Sequence, residues 1–157
     1  MNKYDEILDL SKYEIQNESF TQGKWKYFTV LNTTNGNKYL AKISTKFIKN
    51  WPREIFIDLL RELFISSRLN HPSILKFFGY SPLDLNNKPK LSMIFENATN
   101  KTLSHILFTE KEEEEDTSYN NNELLNDTQK LIIIYGIASG MQYLHSNNII
   151  HQNLISE

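Results

Sequence analysis

The stretch that decides the fold of this chain is GMQYLHSNNIIHQNLISE, residues 140–157. An apolar helical pattern ends in two isoleucines, Ile149 and Ile150, and a polar cluster follows at His151, Gln152 and Asn153. This order predicts a buried helix that delivers polar side chains to a site. The rest of the chain is then expected to bring other groups to that cluster.

The segment before this stretch predicts a long helix. Asn126 or Asp127 is a suitable N-terminal cap, and the pattern continues to about Ser146. Its apolar residues surround the helix axis: Leu131, Ile132, Ile133, Ile134, Ile137, Ala138, Met141 and Leu144. A helix that is apolar all round is normally buried on every side.

Working further outward, the first half of the chain predicts strands around one helix. Aromatic and β-branched runs predict strands at residues 13–20, 25–31, 39–43, 75–80 and 91–96. The Asn35-Gly36 pair between two of these runs predicts a hairpin. Apolar spacing predicts a helix over residues 53–68, with Glu62 among apolar residues on one face.

The composition indicates a globular domain. Of the 157 residues, 39% are hydrophobic and 23% are charged, which suits a chain with a real core. The net charge of −2 gives no basic field for a nucleic acid, and no apolar run is long enough to enter a membrane. The absence of cysteine excludes disulfides and thiolate metal sites. With no visible secretion signal, we expect a cytoplasmic protein.

Two long segments resemble protein kinases of the tyrosine-kinase-like group of serine/threonine kinases. Residues 59–80, LLRELFISSRLNHPSILKFFGY, are similar to the family's αC helix and the segment that leads from it to strand β4. Residues 129–154, QKLIIIYGIASGMQYLHSNNIIHQNL, are similar to its αE helix and catalytic loop. The resemblance, over about residues 12–157, implies an α+β fold. A five-stranded antiparallel N-lobe sheet with the αC helix is followed by the first helices of the C-lobe.

The same resemblance implies a domain organisation. We expect a leader at residues 1–11, the N-lobe at 12–96, a hinge at 97–101 and a partial C-lobe at 102–157. The partial C-lobe comprises αD from residue 102, an acidic and asparagine-rich loop at 109–125, αE and the start of the catalytic loop.

The family's functional residues map onto particular positions of this chain. Lys42 matches the lysine that grips the α- and β-phosphates of ATP, and Glu62 matches the glutamate that pairs with it. Phe95 falls at the gatekeeper position, and Glu96 to Ala98 on the hinge that contacts adenine. His151 opens the catalytic loop, where Asn153 takes the place of the catalytic aspartate. We predict no metal site, and we interpret His71 and His145 as structural.

Several positions depart from the family pattern. The three glycines of the phosphate loop fall on Phe20, Gln22 and Trp25, whose side chains would obstruct phosphates. In the catalytic loop, Gln152 replaces an arginine, Asn153 the aspartate and Ile155 a lysine. The sequence ends before the family's metal-binding residues, so we expect no Mg²⁺ site and at most weak ATP binding in this chain.

These observations leave three functional readings. The first is a catalytically impaired kinase domain, a pseudokinase or truncated copy, that acts as an interaction module for an unknown protein partner. The second is an ATP-binding, active serine/threonine kinase of which this chain is one part. The third is a non-functional truncated copy. For the isolated chain, an αE helix without its usual cover would expose an apolar patch and favour self-association.

Overall fold

The computed structural model describes residues 7–99, 102–108, 125–151 and 154. Its strands are β1 (Tyr13–Gln22), β2 (Trp25–Asn32), β3 (Lys38–Ser44), β4 (Phe77–Ser81) and β5 (Ser92–Glu96). Its helices are α1 (Arg53–Arg68), α2 (Leu103–Phe108) and α3 (Asp127–Ser146). The chain divides into two compact units, residues 1–70 with 74–98, and residues 71–73 with 99–157.

The first unit contains one antiparallel sheet in the order β1-β2-β3-β5-β4. The predicted Asn-Gly hairpin joins β2 to β3, and Gly36 there has a φ of +71°. The side chain of Asn32 accepts hydrogen bonds from the backbone N–H groups of Thr34 and Asn35, which fixes the turn. The predicted five-stranded antiparallel sheet with one packed helix is therefore confirmed.

The two faces of this sheet carry different clusters of buried side chains. α1 packs on the face of Lys42, where the buried residues are Trp25, Leu59, Phe77 and Met93. The opposite face buries Leu10, Val30, Tyr39, Ala41, Ile43 and Ile94. Alternation along β3 places Lys42 opposite Ala41 and Ile43, as the sequence predicted.

The described end of the predicted leader is part of the first unit. The N–H of Leu8 donates to the carbonyl of Tyr80 over 2.8 Å, and Ile7 forms a parallel bridge with the same residue. Leu10 is 6% exposed and packs in the cluster opposite α1. Residues 7–11 of the predicted leader therefore contact one edge and one face of the sheet.

The second unit contains α2 and α3. Asn126 caps α3 in a capping box with Gln129, in agreement with the sequence. Only Gly140 and Leu144 are buried among the residues of α3. The helix is thus not buried on every side, since Leu131 and Tyr135 are 66% and 76% exposed, and it presents the apolar surface expected of an uncovered αE helix. In the described parts of the chain, no helix is long and apolar enough to cross a membrane.

Candidate functional site

Lys42 and Glu62 meet on the α1 face of the sheet. Lys42 lies in β3, paired with Tyr27 of β2 and Met93 of β5. Its Nζ donates a hydrogen bond to Oε1 of Glu62, which lies on the sheet-facing side of α1. The Lys42 side chain is 15% exposed and that of Glu62 35%. The two residues predicted to pair are therefore in contact within one unit.

Trp25 forms a second contact to the same ammonium group. The Lys42 Nζ lies 4.6 Å from the centroid of the Trp25 ring, within the range of a cation–π interaction. Trp25 is 5% exposed and contacts Trp51 edge-on at 6.1 Å. The sequence had predicted only that a bulky residue stands at this position, not that its ring faces Lys42.

Tyr27 and Phe20 continue the aromatic layer beside the ion pair. Their rings stack at 4.4 Å between centroids, with an angle of 16° between planes. Burial raises the pKa of the Tyr27 phenol, and the negative charge of Glu62 raises it further. Tyr27 thus stands close enough to the carboxylate to sense its charge, a neighbour that the sequence reading did not identify.

Phe95 and Glu96 lie at the end of β5. The ring of Phe95 packs at 5.3 Å from that of Phe77 and is half-buried on the α1 face. The backbone N–H of Glu96 donates to the carbonyl of Lys76 over 2.8 Å, so this N–H is already engaged. Ala98 is exposed at the end of the first unit.

Comparison with known proteins decides the family. The sequence model described as "Protein tyrosine and serine/threonine kinase" matches residues 16–157. The chain belongs to the protein kinase family. Its relatives are serine/threonine and receptor-like kinases, in agreement with the resemblance drawn from the two long segments.

Three relatives of this kinase-family chain show how much of them it covers. A protein of Acanthamoeba polyphaga mimivirus described as a serine/threonine-protein kinase is 31% identical over 141 residues, which cover 84% of this chain and 23% of that protein. A serine/threonine-protein kinase of Arabidopsis thaliana is 32% identical over 101 residues, which cover 63% of this chain and 11% of that protein. A cysteine-rich receptor-like protein kinase of the same plant is 28% identical over 123 residues, which cover 76% of this chain and 16% of that protein. The chain spans less than a quarter of these relatives.

The kinase positions of the catalytic loop belong to the second unit. His151 is exposed there, whereas Asn153, like Gln152 and Ile155, lies outside the described residues. The structure therefore assembles Lys42 with Glu62, while the predicted roles of His151 and Asn153 stay predictions.

His71 connects the loop at residues 71–73 to α3 within the second unit. Its Nδ1 accepts a hydrogen bond from the N–H of Ser73 over 3.1 Å, and its Nε2 lies 3.2 Å from the Ser139 hydroxyl. The imidazole also stacks on Tyr143 at 5.0 Å. Across the described part of the chain, no group of three or more His, Asp or Glu side chains could hold a metal ion.

Protein kinases use ATP, and the side chains around Lys42 show whether its phosphates would fit here. The glycine positions are part of the β1–β2 ladder, in which Phe20 pairs with Tyr27 and Gln22 with Trp25. They carry two aromatic rings and an amide, one ring directly on the Lys42 ammonium. These side chains do not form the glycine-rich cradle that phosphates need, and the Trp25 ring lies on the cation that would meet them.

Proposed function

We propose that this kinase-family domain does not transfer phosphate and acts as an interaction module. The observation that carries the proposal is Asn153 at the position of the family's catalytic aspartate. An amide cannot accept the proton of a substrate hydroxyl and adds no negative charge to orient it. Gln152 and Ile155 support the same reading, since each replaces a cationic residue of the family pattern.

A phosphoryl-transfer assay tests the catalytic half of this proposal. The purified chain is incubated with Mg²⁺ and labelled ATP, with a general protein substrate and without one. We expect no incorporation above that of a Lys42→Met variant. Turnover that Lys42→Met abolishes would show a working active site and would overturn the proposal.

The outer face of α1 supports the interaction half of the proposal. Ile57, Leu60 and Phe64 are 39%, 51% and 52% exposed, and their spacing places them along one line of the helix. Arg53 and Arg68 extend this line at its two ends, and the Arg68 guanidinium lies 3.7 Å from the centre of the Phe64 ring. Exposed apolar side chains with arginines beside them suit a partner that presents apolar side chains bordered by carboxylates.

A pair of designed peptides tests this surface. Fluorescence anisotropy compares a helical peptide carrying leucines on one face and glutamates beside them with its copy carrying lysines instead. We expect the acidic peptide to bind at least about tenfold more tightly, and a Leu60→Glu/Arg68→Glu variant to lose that preference. Equal binding of both peptides, or a preference unchanged in the variant, counts against this surface.

The second candidate function is ATP binding and kinase activity within a longer gene product. It is favoured by the Lys42–Glu62 pair, which is the geometry that an active kinase needs. A thermal shift with Mg²⁺ and ATP separates the two. Stabilisation of the chain at millimolar nucleotide supports this second function, and no shift supports the first.

A further inference from the structure

We propose that Trp25 holds the Lys42 ammonium inside the first unit and so closes this site to nucleotide phosphates. The inference rests on the proposed function in one respect, that this domain does not transfer phosphate. It goes beyond it by naming the residue that keeps the pair from a nucleotide. It also implies that the site can be opened by one substitution.

The position of Trp25 is fixed by its packing. The side chain is 5% exposed and shares a buried cluster with Leu59 of α1 and Met93 of β5. Its neighbour Trp51 is held in turn by a hydrogen bond from its ring N–H to the carbonyl of Lys46 over 3.2 Å. The Trp25 ring therefore cannot leave Lys42 without opening the core between sheet and helix.

The Lys42 ammonium makes two contacts, one with a carboxylate and one with an aromatic ring. The Glu62 carboxylate accepts a hydrogen bond from Nζ, and the Trp25 ring faces the same nitrogen at 4.6 Å. A phosphate competes with both contacts and has to draw the cation out of a site where the side chain is only 15% exposed. A ring contact to a desolvated cation is strong enough to reduce the affinity of that cation for a competing anion by roughly 30-fold.

The neighbouring positions reinforce this arrangement. Tyr27, directly across from Lys42 in the ladder, is covered by the stacked ring of Phe20. Glycine at the position of Phe20 would leave the backbone open to phosphate oxygens, whereas the ring presents apolar surface. The aromatic residues thus hold the cation and cover the backbone that a phosphate would approach.

Binding of ATP, and of tripolyphosphate as a probe without adenine, to the Trp25→Leu variant tests the proposal. Leucine keeps the site apolar but removes the ring face. By isothermal titration calorimetry, we expect no saturable binding to the unaltered chain at millimolar ligand and measurable binding of both ligands to Trp25→Leu. Trp51→Phe is the matched control, because it replaces a tryptophan of the same cluster but leaves the Lys42 contact in place.

Two results would overturn the proposal. The first is that the unaltered chain binds ATP as tightly as the Trp25→Leu variant does. The second is that a Trp25→Leu variant with intact circular dichroism and cooperative unfolding gains no ATP binding. The outcome for phosphoryl transfer is separate. A folded Trp25→Leu variant that gains no ATP binding refutes the role of Trp25 but leaves the proposed function standing. Phosphoryl transfer by the unaltered chain refutes the proposed function.

A fluorescence measurement decides the matter if Trp25→Leu does not fold. In a Trp51→Phe background, Trp25 is the sole tryptophan of the chain. We expect Lys42→Met to change its emission intensity, because the ammonium leaves the ring face. Lys24→Met, which removes the cation near Trp51 instead, is the control and should leave the emission unchanged. An emission unaffected by Lys42→Met means that the contact does not exist in solution.

Discussion

The two side chains of the Lys42–Glu62 pair differ in their exposure to water, so removing one partner has a different cost from removing the other. The Lys42 side chain is 15% exposed and that of Glu62 35%. Glu62→Gln leaves the more enclosed charge without a carboxylate, so we expect it to cost about 2 kcal/mol of unfolding free energy. Lys42→Met leaves the more exposed carboxylate and adds an apolar side chain beside Trp25, so we expect about 1 kcal/mol.

Denaturant unfolding of the two single variants and the double variant measures this difference. Because both substitutions remove the same contact, the double variant should lose less than the sum of the two by about 1 kcal/mol. An additive result, or a larger loss for Lys42→Met than for Glu62→Gln, would contradict the pairing and its unequal exposure.

Tyr27 gives the ion pair a signature in alkaline solution. Its folded-state pKa lies above the ordinary value of 10.0 through burial first and the Glu62 charge second. The stability that this phenol contributes is complete below about pH 10 and is lost as the pH rises through the folded-state pKa. We expect Glu62→Gln to lower the Tyr27 pKa, measured by ultraviolet absorption with Tyr27→Phe as the reference. An unchanged pKa would place the carboxylate away from the phenol.

At the residue scale, the sequence predicted the Lys42–Glu62 contact but not its neighbours. The resemblance to protein kinases implied this pair, whereas the strand and helix patterns alone showed only a lysine on one strand face and a glutamate on one helix face. The alternation of β2 also places Trp25 and Tyr27 on the face of Lys42, a signal that was available in the sequence. The ring-to-ammonium distance was not available, because it depends on side-chain rotamers set by the packing of Leu59 and Met93.

At the scale of elements, the helices and strands were predicted to within about two residues at each end. α1 runs over Arg53–Arg68 and α3 ends at Ser146, both as the apolar spacing indicated. The predicted strand at residues 75–80 instead runs over Phe77–Ser81. The residues before β1 form too short a pattern to show that Leu10 packs on the sheet, since its cluster is formed by β2, β3 and β5 farther along the chain.

The packing of Leu10 can be tested against a nearby exposed residue. Leu10 is 6% exposed, so Leu10→Ala should destabilise the chain by about 2–3 kcal/mol through lost burial and a cavity. Ile7 is 64% exposed, and Ile7→Ala should change stability by less than about 0.5 kcal/mol. Urea denaturation gives both values. Similar small effects for the two variants would contradict the packing of Leu10 against the sheet.

The first turn of α3 depends on its capping box. Asn126 accepts from the N–H of Gln129 over 2.9 Å, so Asn126→Ala should cost about 1 kcal/mol, whereas Asn126→Gly should cost only a few tenths. Hydrogen exchange of the amides in this turn reports the change locally. Equal effects of alanine and glycine would mean that the side-chain cap contributes little.

At the scale of the whole molecule, the chain combines a well-covered sheet with an exposed helix. Both faces of the sheet are packed, one by α1 and the other by Leu8 and Leu10 with Leu85. On α3, by contrast, Ile132 and Ile134 are 64% and 61% exposed. Apolar side chains at this exposure on one helix are unfavourable in water, so a contact that covers them would lower the free energy of the chain.

We therefore expect the purified 157-residue chain to self-associate through α3. Sedimentation velocity at increasing concentration should show dimers or larger species. The double variant Ile132→Glu/Tyr135→Glu should raise the dissociation constant at least about tenfold, because each substitution places a charge in the contact. Gln142→Glu adds a charge to another exposed position of the same helix and is the control. A monodisperse monomer over the whole concentration range, or equal effects of variant and control, means that α3 is not the contact.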